Sequence, residues 1–127
     1  MPNDSVLFEV RDNIAHVTLN RPQAGNALDL EMAKQLMAAA SRCEADQSVR
    51  AVLLKGAGKS FCVGGDVKVF AAQEQLPQYL REITSYLHLA VSRFARVSSS
   101  CSFACSPSFL RSCSRKYRTR PASVGMI

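Results

Sequence analysis

Residues able to do chemistry crowd into one stretch, Lys59-Ser60-Phe61-Cys62-Val63-Gly64-Gly65-Asp66-Val67-Lys68. An apolar run from Val49 to Leu54 leads into it through Gly56-Ala57-Gly58, and a helical pattern leaves it at Asp66. The glycine pair therefore falls where a buried strand ends and a helix begins. Glycine lets a backbone approach a ligand closely and adopt φ values other residues avoid. The N–H groups at a helix start have no partner inside the helix and favour negative charge. Aimed into a cleft, such groups stabilise an oxygen on which charge develops, which is half of an oxyanion hole. On local pattern alone, the same residues also make a plain tight turn with Asp66 as a helix N-cap.

Other chemistries fit this chain less well. Gly58-Lys59-Ser60 ends like a phosphate-binding P-loop, but that spacing needs glycine at position 53, where Leu53 stands. The helix should also begin at Lys59-Ser60, and Phe61 to Gly65 intervene. Cys101 and Cys105 have no second ligand pair at zinc-site spacing, and His16 and His88 stand on other elements, so no metal site is expected. His16 reads as an exposed strand residue. His88 lies one position off an apolar helical stripe and reads as a boundary or surface residue.

Two blocks give the glycine turn its context. Val17-Thr18-Leu19-Asn20-Arg21-Pro22 is followed by Asn26-Ala27-Leu28-Asp29, and Phe61-Cys62-Val63-Gly64-Gly65-Asp66-Val67-Lys68 comes roughly thirty-five residues further on. In this order and spacing they resemble the enoyl-CoA hydratase/isomerase (crotonase) family, from about Val6 to about Val97. The resemblance implies an α/β fold, the N-terminal part of a crotonase-like spiral of strand-strand-helix units. It implies that Gly65 donates its backbone N–H to the oxygen of an acyl-CoA thioester. It also implies that Ala24, Asn26, Cys62, Gly64, Gly65, Asp66 and Val67 line the substrate and coenzyme A site, with Val67 and Lys68 near the adenine and phosphates. Gly25 replaces a more usual apolar residue in that loop. Cys62 stands where the family often has a small residue, so a packed small side chain is expected there rather than a reactive thiol. The coenzyme A thioester enters as substrate, and no permanently bound cofactor is implied. Relatives commonly form trimers or pairs of trimers.

The elements that must hold these residues follow from periodicity. Val6, Phe8 and Val10, then Ile14, His16, Thr18 and Asn20, alternate with their neighbours around Asp12-Asn13, which predicts a two-stranded hairpin. Arg21 to Asn26 is loop, with Pro22 ending the ladder and Gly25-Asn26 supplying turn residues. A helix from Asp29 to about Glu44 places Leu30, Ala33, Leu36, Met37, Ala40 and Cys43 on one face. Met32 and Met37 read as gap-filling apolar residues and Cys43 as core. The strand Val49 to Leu54, apolar at nearly every position, predicts cover on both faces. Asp66 to Gln75 reads as a short helix. A longer helix runs to about Val97 on a stripe of Leu80, Ile83, Leu87, Ala90, Val91, Phe94 and Val97.

Charge and cysteine divide the chain in two. Residues 1–97 carry eleven Lys/Arg against ten Asp/Glu, whereas residues 98–127 carry five and none. The overall net charge of +6 thus belongs to the tail, and no nucleic-acid partner is expected of the domain. No apolar run approaches the roughly 18 residues of a membrane span, and no signal-peptide pattern opens the chain, so no membrane partner and a cytoplasmic location are expected. Residues 1–97 read as a truncated crotonase-like domain. Residues 98–127, with eight Ser and three Cys crowded into 98–114, read as a disordered or out-of-frame tail. In the family, a Gly-rich turn with the second oxyanion donor and the proton-moving carboxylates would follow Val97. Without them, an inactive fragment is expected. The alternatives are a non-catalytic remnant with weak coenzyme A contacts, or a basic-tail binding protein.

Overall fold

In the computed structural model, residues 4–97 are described, and the Ser/Cys/Arg-rich segment 98–127 lies outside the described residues, as do the expectations placed on it. The hairpin forms where the period-two pattern predicts it. β1 (Val6–Arg11) pairs antiparallel with β2 (Ile14–Leu19), in a register running from Val6↔Leu19 to Arg11↔Ile14. Asp12 (φ 53°) and Asn13 (φ 63°) connect them, both left-handed, as a two-residue hairpin turn requires. Asp and Asn tolerate that conformation better than other non-glycine residues.

Along β2, Ala15, Val17 and Leu19 are buried and face the helices, while Ile14, His16 and Thr18 are half-buried on the other face. Helix α1 (Leu30–Ala45) covers the buried face. Its N-cap Asp29 accepts the Met32 N–H at 2.8 Å, and Glu31 sits in the first turn, where negative charge is favoured. Met32, Ala33, Leu36, Ala39, Ala40 and Cys43 form its buried stripe at helical spacing. The chain then returns as β3 (Ala51–Gly56), parallel to β2, giving the sheet order β1-β2-β3. Helix α2 (Val67–Ala71) follows, and then α3 (Leu76–Val97), which packs along α1. Ala39, Ala40 and Ala90 share one buried cluster with Phe94, and their small side chains let the helices approach closely. Glu44 ties the helices together by accepting from Arg93 at 2.6 Å and Arg96 at 3.3 Å.

Five expectations are corrected by this arrangement. The strand begins at Ala51 rather than Val49: Val49 is buried in the connection and its N–H donates back to the Asp46 carbonyl, and the Arg50 N–H donates to the Asn13 carbonyl one step before the first β2–β3 pair, Ile14↔Ala51. Ala51 to Leu54 are half-buried rather than enclosed, because β3 is the edge of the described sheet. Val91 is 58% exposed although adjacent to buried Ala90. One residue is about 100° of helical turn, and α1 shields only the strip through Ile83, Ala90 and Phe94. His16 is half-buried rather than exposed, flanked across the ladders by Glu9 and Leu53, and its Nδ1 is enclosed. The short helix also ends at Ala71, before Gln75.

Among the described residues, no helix is long and apolar enough to cross a membrane. The core is thin, so single side chains in it carry much of its stability. Met32, wholly buried on α1, should cost about 2–5 kcal/mol when cut to Ala. Val91→Ser, on the exposed side of α3, should stay within about 0.5 kcal/mol. Urea denaturation of both variants followed by far-ultraviolet circular dichroism checks the contrast.

Candidate functional site

Two loops meet at the top of β2 and β3. The first leaves β2 at Asn20, makes a 3-10 turn at Pro22–Ala24, and passes through Gly25 (φ 60°) and Asn26 (φ 57°). Asn26 is completely buried, and its amide is saturated by backbone. Its Oδ1 accepts the Arg21 N–H at 2.8 Å, and its Nδ2 donates to the carbonyls of Ala57 at 2.8 Å and Ser60 at 2.7 Å. This one side chain staples the Arg21–Asn26 loop to the segment entering the glycine turn. Ala24, half-buried beside it, spends its carbonyl on the Ala27 N–H. Val63 closes the contact by donating to the Gly25 carbonyl at 3.1 Å.

Beyond the staple, the two chains run side by side as a short parallel bridge between Leu28 and Gly65. The Leu28 N–H donates to the Gly64 carbonyl at 2.7 Å, and the Asp66 N–H donates to the Leu28 carbonyl at 2.9 Å. Both bonds belong to the neighbours of Gly65. The Gly65 N–H is therefore turned away from Leu28, and it makes no hydrogen bond among the described residues. Gly65 is an exposed residue, and its N–H is uncommitted. A side chain at this position would displace the Phe70 ring, because a Cβ would stand 2.5 Å and 2.7 Å from its Cε2 and Cζ. Gly64, at φ 112°, holds a conformation that L side chains rarely adopt. The Phe70 ring is in turn edge-on to Tyr79 at 5.9 Å, and the Tyr79 hydroxyl accepts the Leu30 N–H at 3.2 Å.

Beneath the bridge lies an ion triad. Asp66 caps α2 by accepting the Val69 N–H through Oδ1 at 3.2 Å, and its Oδ2 accepts from Arg21 Nη2 at 3.0 Å. Arg21 Nη1 donates to the Ala27 carbonyl at 2.6 Å and lies 3.1 Å from Oδ2 of Asp29, the cap of α1. The three side chains are only 11–18% exposed. The Arg21 hydrogen bond, followed by the Val69 N–H, holds the Asp66 carboxyl below its ordinary range. Arg21 was missed as a functional residue by pattern reading. Its signal was indirect: two capping acids in buried surroundings require a cation.

The residues singled out in the sequence are thus brought together: Ala24 and Asn26 on one loop, Cys62 to Val67 on the other. Cys62 is half-buried, packs against the core, and points its thiol at the Gly64 carbonyl at 3.8 Å. Val63 and Val67 are exposed at the rim, by 65% and 74%. Cys43 is remote from the turn, and burial pushes its thiol up to about 11. A groove between β1 and α1, lined by Val6, Phe8, Gln35, Ala39 and Arg42, shares no residue with the turn. Among the described residues, no cluster of His, Cys, Asp and Glu is grouped to hold a metal ion.

Two outcomes follow from this geometry. Asn26→Ala leaves two carbonyls and one N–H without partners in a buried site, and should cost about 3 kcal/mol in denaturant titration. Asp66 has a folded pKa below its unfolded value of about 3.9. Its contribution is complete above the unfolded value and is lost as pH falls through the folded one. Asp66→Asn keeps a capping side chain, so it should reduce the fall of Tm on acidification below about pH 4.

Residues 14–94 match the family model described as enoyl-CoA hydratase/isomerase. A probable enoyl-CoA hydratase of Mycobacterium tuberculosis, EchA14, is 45% identical over 69 residues, covering 54% of this chain and 27% of that protein. The human mitochondrial 3-hydroxyisobutyryl-CoA hydrolase is 36% identical over 81 residues, covering 63% of this chain and 21% of that one. The solved structure of an enoyl-CoA hydratase from Mycobacterium smegmatis superposes with a TM-score of 0.68 at 32% identity, covering 76% of this chain and 38% of that chain. The chain thus spans well under half the length of the relatives it matches. With a crotonase-like arrangement of strands and helices up to Val97, it belongs to the enoyl-CoA hydratase/isomerase family.

Proposed function

We propose that this chain binds acyl-CoA thioesters and that the Gly65 N–H donates to the thioester oxygen. The observation that carries this is a backbone N–H of an exposed residue, without a partner among the described residues and flanked by hydrogen bonds on both sides. Two similar proteins support the substrate class: one is named a hydratase and the other a hydrolase, yet both names refer to coenzyme A esters. Attack at the double bond conjugated to a thioester puts charge on its oxygen through an enolate, and attack at the carbonyl does so through a tetrahedral adduct. A donor fixed at that oxygen lowers either barrier, by about 3 kcal/mol for one such group. Ala24, Gly64 and Val67 form the wall beside the donor that the coenzyme meets, while buried Asn26 and Asp66 and core-packed Cys62 hold that wall in place from behind.

Hydration also needs a group that gives and takes a proton near neutral pH. Asp66 is unsuited to that task. Its oxygens are occupied by Arg21 and the α2 N-terminus, and its carboxyl is held in the ionised form. Asp29 is likewise engaged with Arg21 and the α1 N-terminus. In our reading, this chain alone polarises a thioester without completing its hydration.

Calorimetric titration of the chain with butyryl-CoA and with S-butyl-CoA, the thioether lacking the carbonyl oxygen, tests the first part. Tighter binding of the thioester is expected; equal binding, or none, would remove the assignment of Gly65. A crotonyl-CoA hydration assay tests the second part. No rate above the uncatalysed one is expected, and turnover by the purified chain would overturn the inactive reading.

A further inference from the structure

The Gly65 donor is useful only if its direction is fixed, and the fixing elements converge on Arg21. The bridge that orients it has two sides. On one side the Ala27 carbonyl, immediately before Leu28, accepts from Arg21 Nη1 at 2.6 Å. On the other, the Asp66 carboxylate, immediately after Gly65, accepts from Arg21 Nη2 at 3.0 Å. One rigid guanidinium plane therefore spans the two chains whose separation decides where the Gly65 N–H points. Its own backbone is anchored as well, since the Arg21 N–H donates to the buried Asn26 side chain.

We infer that Arg21 is the positioning residue of the oxyanion donor, setting the spacing of the Leu28–Gly65 bridge so that the Gly65 N–H meets the thioester oxygen. This inference rests on Gly65 being the donor. Lysine could not reproduce the arrangement. A single ammonium centre lacks the planar fork that reaches Ala27 and Asp66 from two separate nitrogens. Arg21 also balances charge. Without it, two carboxylates close to Gly65 would oppose charge growing on the ligand oxygen.

The test is spectroscopic, because a purely structural role would not move the spectrum of bound ligand. Butyryl-CoA carrying a ¹³C-labelled thioester carbonyl is bound to the full chain, and its carbonyl stretch is read by infrared difference spectroscopy. In the parent chain, hydrogen bonding should lower the stretch relative to free ligand. In Arg21→Met the lowering should be largely lost, and the preference for butyryl-CoA over S-butyl-CoA should fall about 10-fold, or about 1.4 kcal/mol. Arg21→Lys should recover only part of it. If Arg21→Met fails to fold, Asp66→Asn decides the matter. It keeps the helix cap but weakens the grip on the bridge, and a smaller change in the same direction is expected. A full carbonyl shift in folded variants would overturn the inference while leaving Gly65 as the donor. No shift in the parent chain would overturn both.

Discussion

One largely enclosed guanidinium, that of Arg21, holds this part of the molecule together at the site. A helix begins with N–H groups that its own turns cannot satisfy, and both α1 and α2 meet that need with an aspartate. The two caps converge, and carboxylates that have lost most of their water need a counter-charge. Arg21 supplies it to both and takes the Ala27 carbonyl as well. Removing one member would strand the others in a place where little solvent can compensate. The helices that cover the sheet are thereby oriented relative to the loops above it, and the position of the glycine turn follows.

The glycines act against that rigid background. Gly64 takes a backbone angle unsuited to a side chain, and Gly65 leaves room for the Phe70 ring. Phe70 is steadied by Tyr79, whose hydroxyl reaches back to the start of α1. The uncommitted donor thus sits on the least substituted part of the chain, but its surroundings are tightly constrained. A mobile glycine loop would present the same N–H with no fixed direction, and a donor with no fixed direction stabilises little charge.

Much of this was legible in the sequence wherever the signal was local. The alternation around Asp12-Asn13 gave the hairpin, Asp29 and its apolar stripe gave α1, and Gly64-Gly65-Asp66 gave the strand-to-helix turn. The motif blocks indicated which two loops meet. Features set by distant partners were not legible. The start of β3 depends on Arg50 bonding Asn13 across the sheet, and the half-burial of β3 depends on its place at the edge. Val91 reads as part of the α3 stripe because it stands four residues after Leu87 and three before Phe94, but α1 decides which strip is covered. Asn26 reads as a turn residue, and nothing nearby shows that its amide reaches Ala57 and Ser60. Arg21 and Asp66 are 45 residues apart, and no short window contains both.

That same separation bears on how the site comes into being. Its bonds join residues 31, 34 and 45 positions apart, with the whole of α1 and β3 between them. Closing loops of that length costs chain entropy before any of these contacts can repay it. The hairpin and α1 can form from local contacts, but the glycine turn cannot be held until β3 has docked beside β2 and brought its following loop to Arg21 and Asn26. The contacts that hold the glycine turn are thus the ones most costly to close in a folding chain, whereas those of the hairpin lie close in sequence.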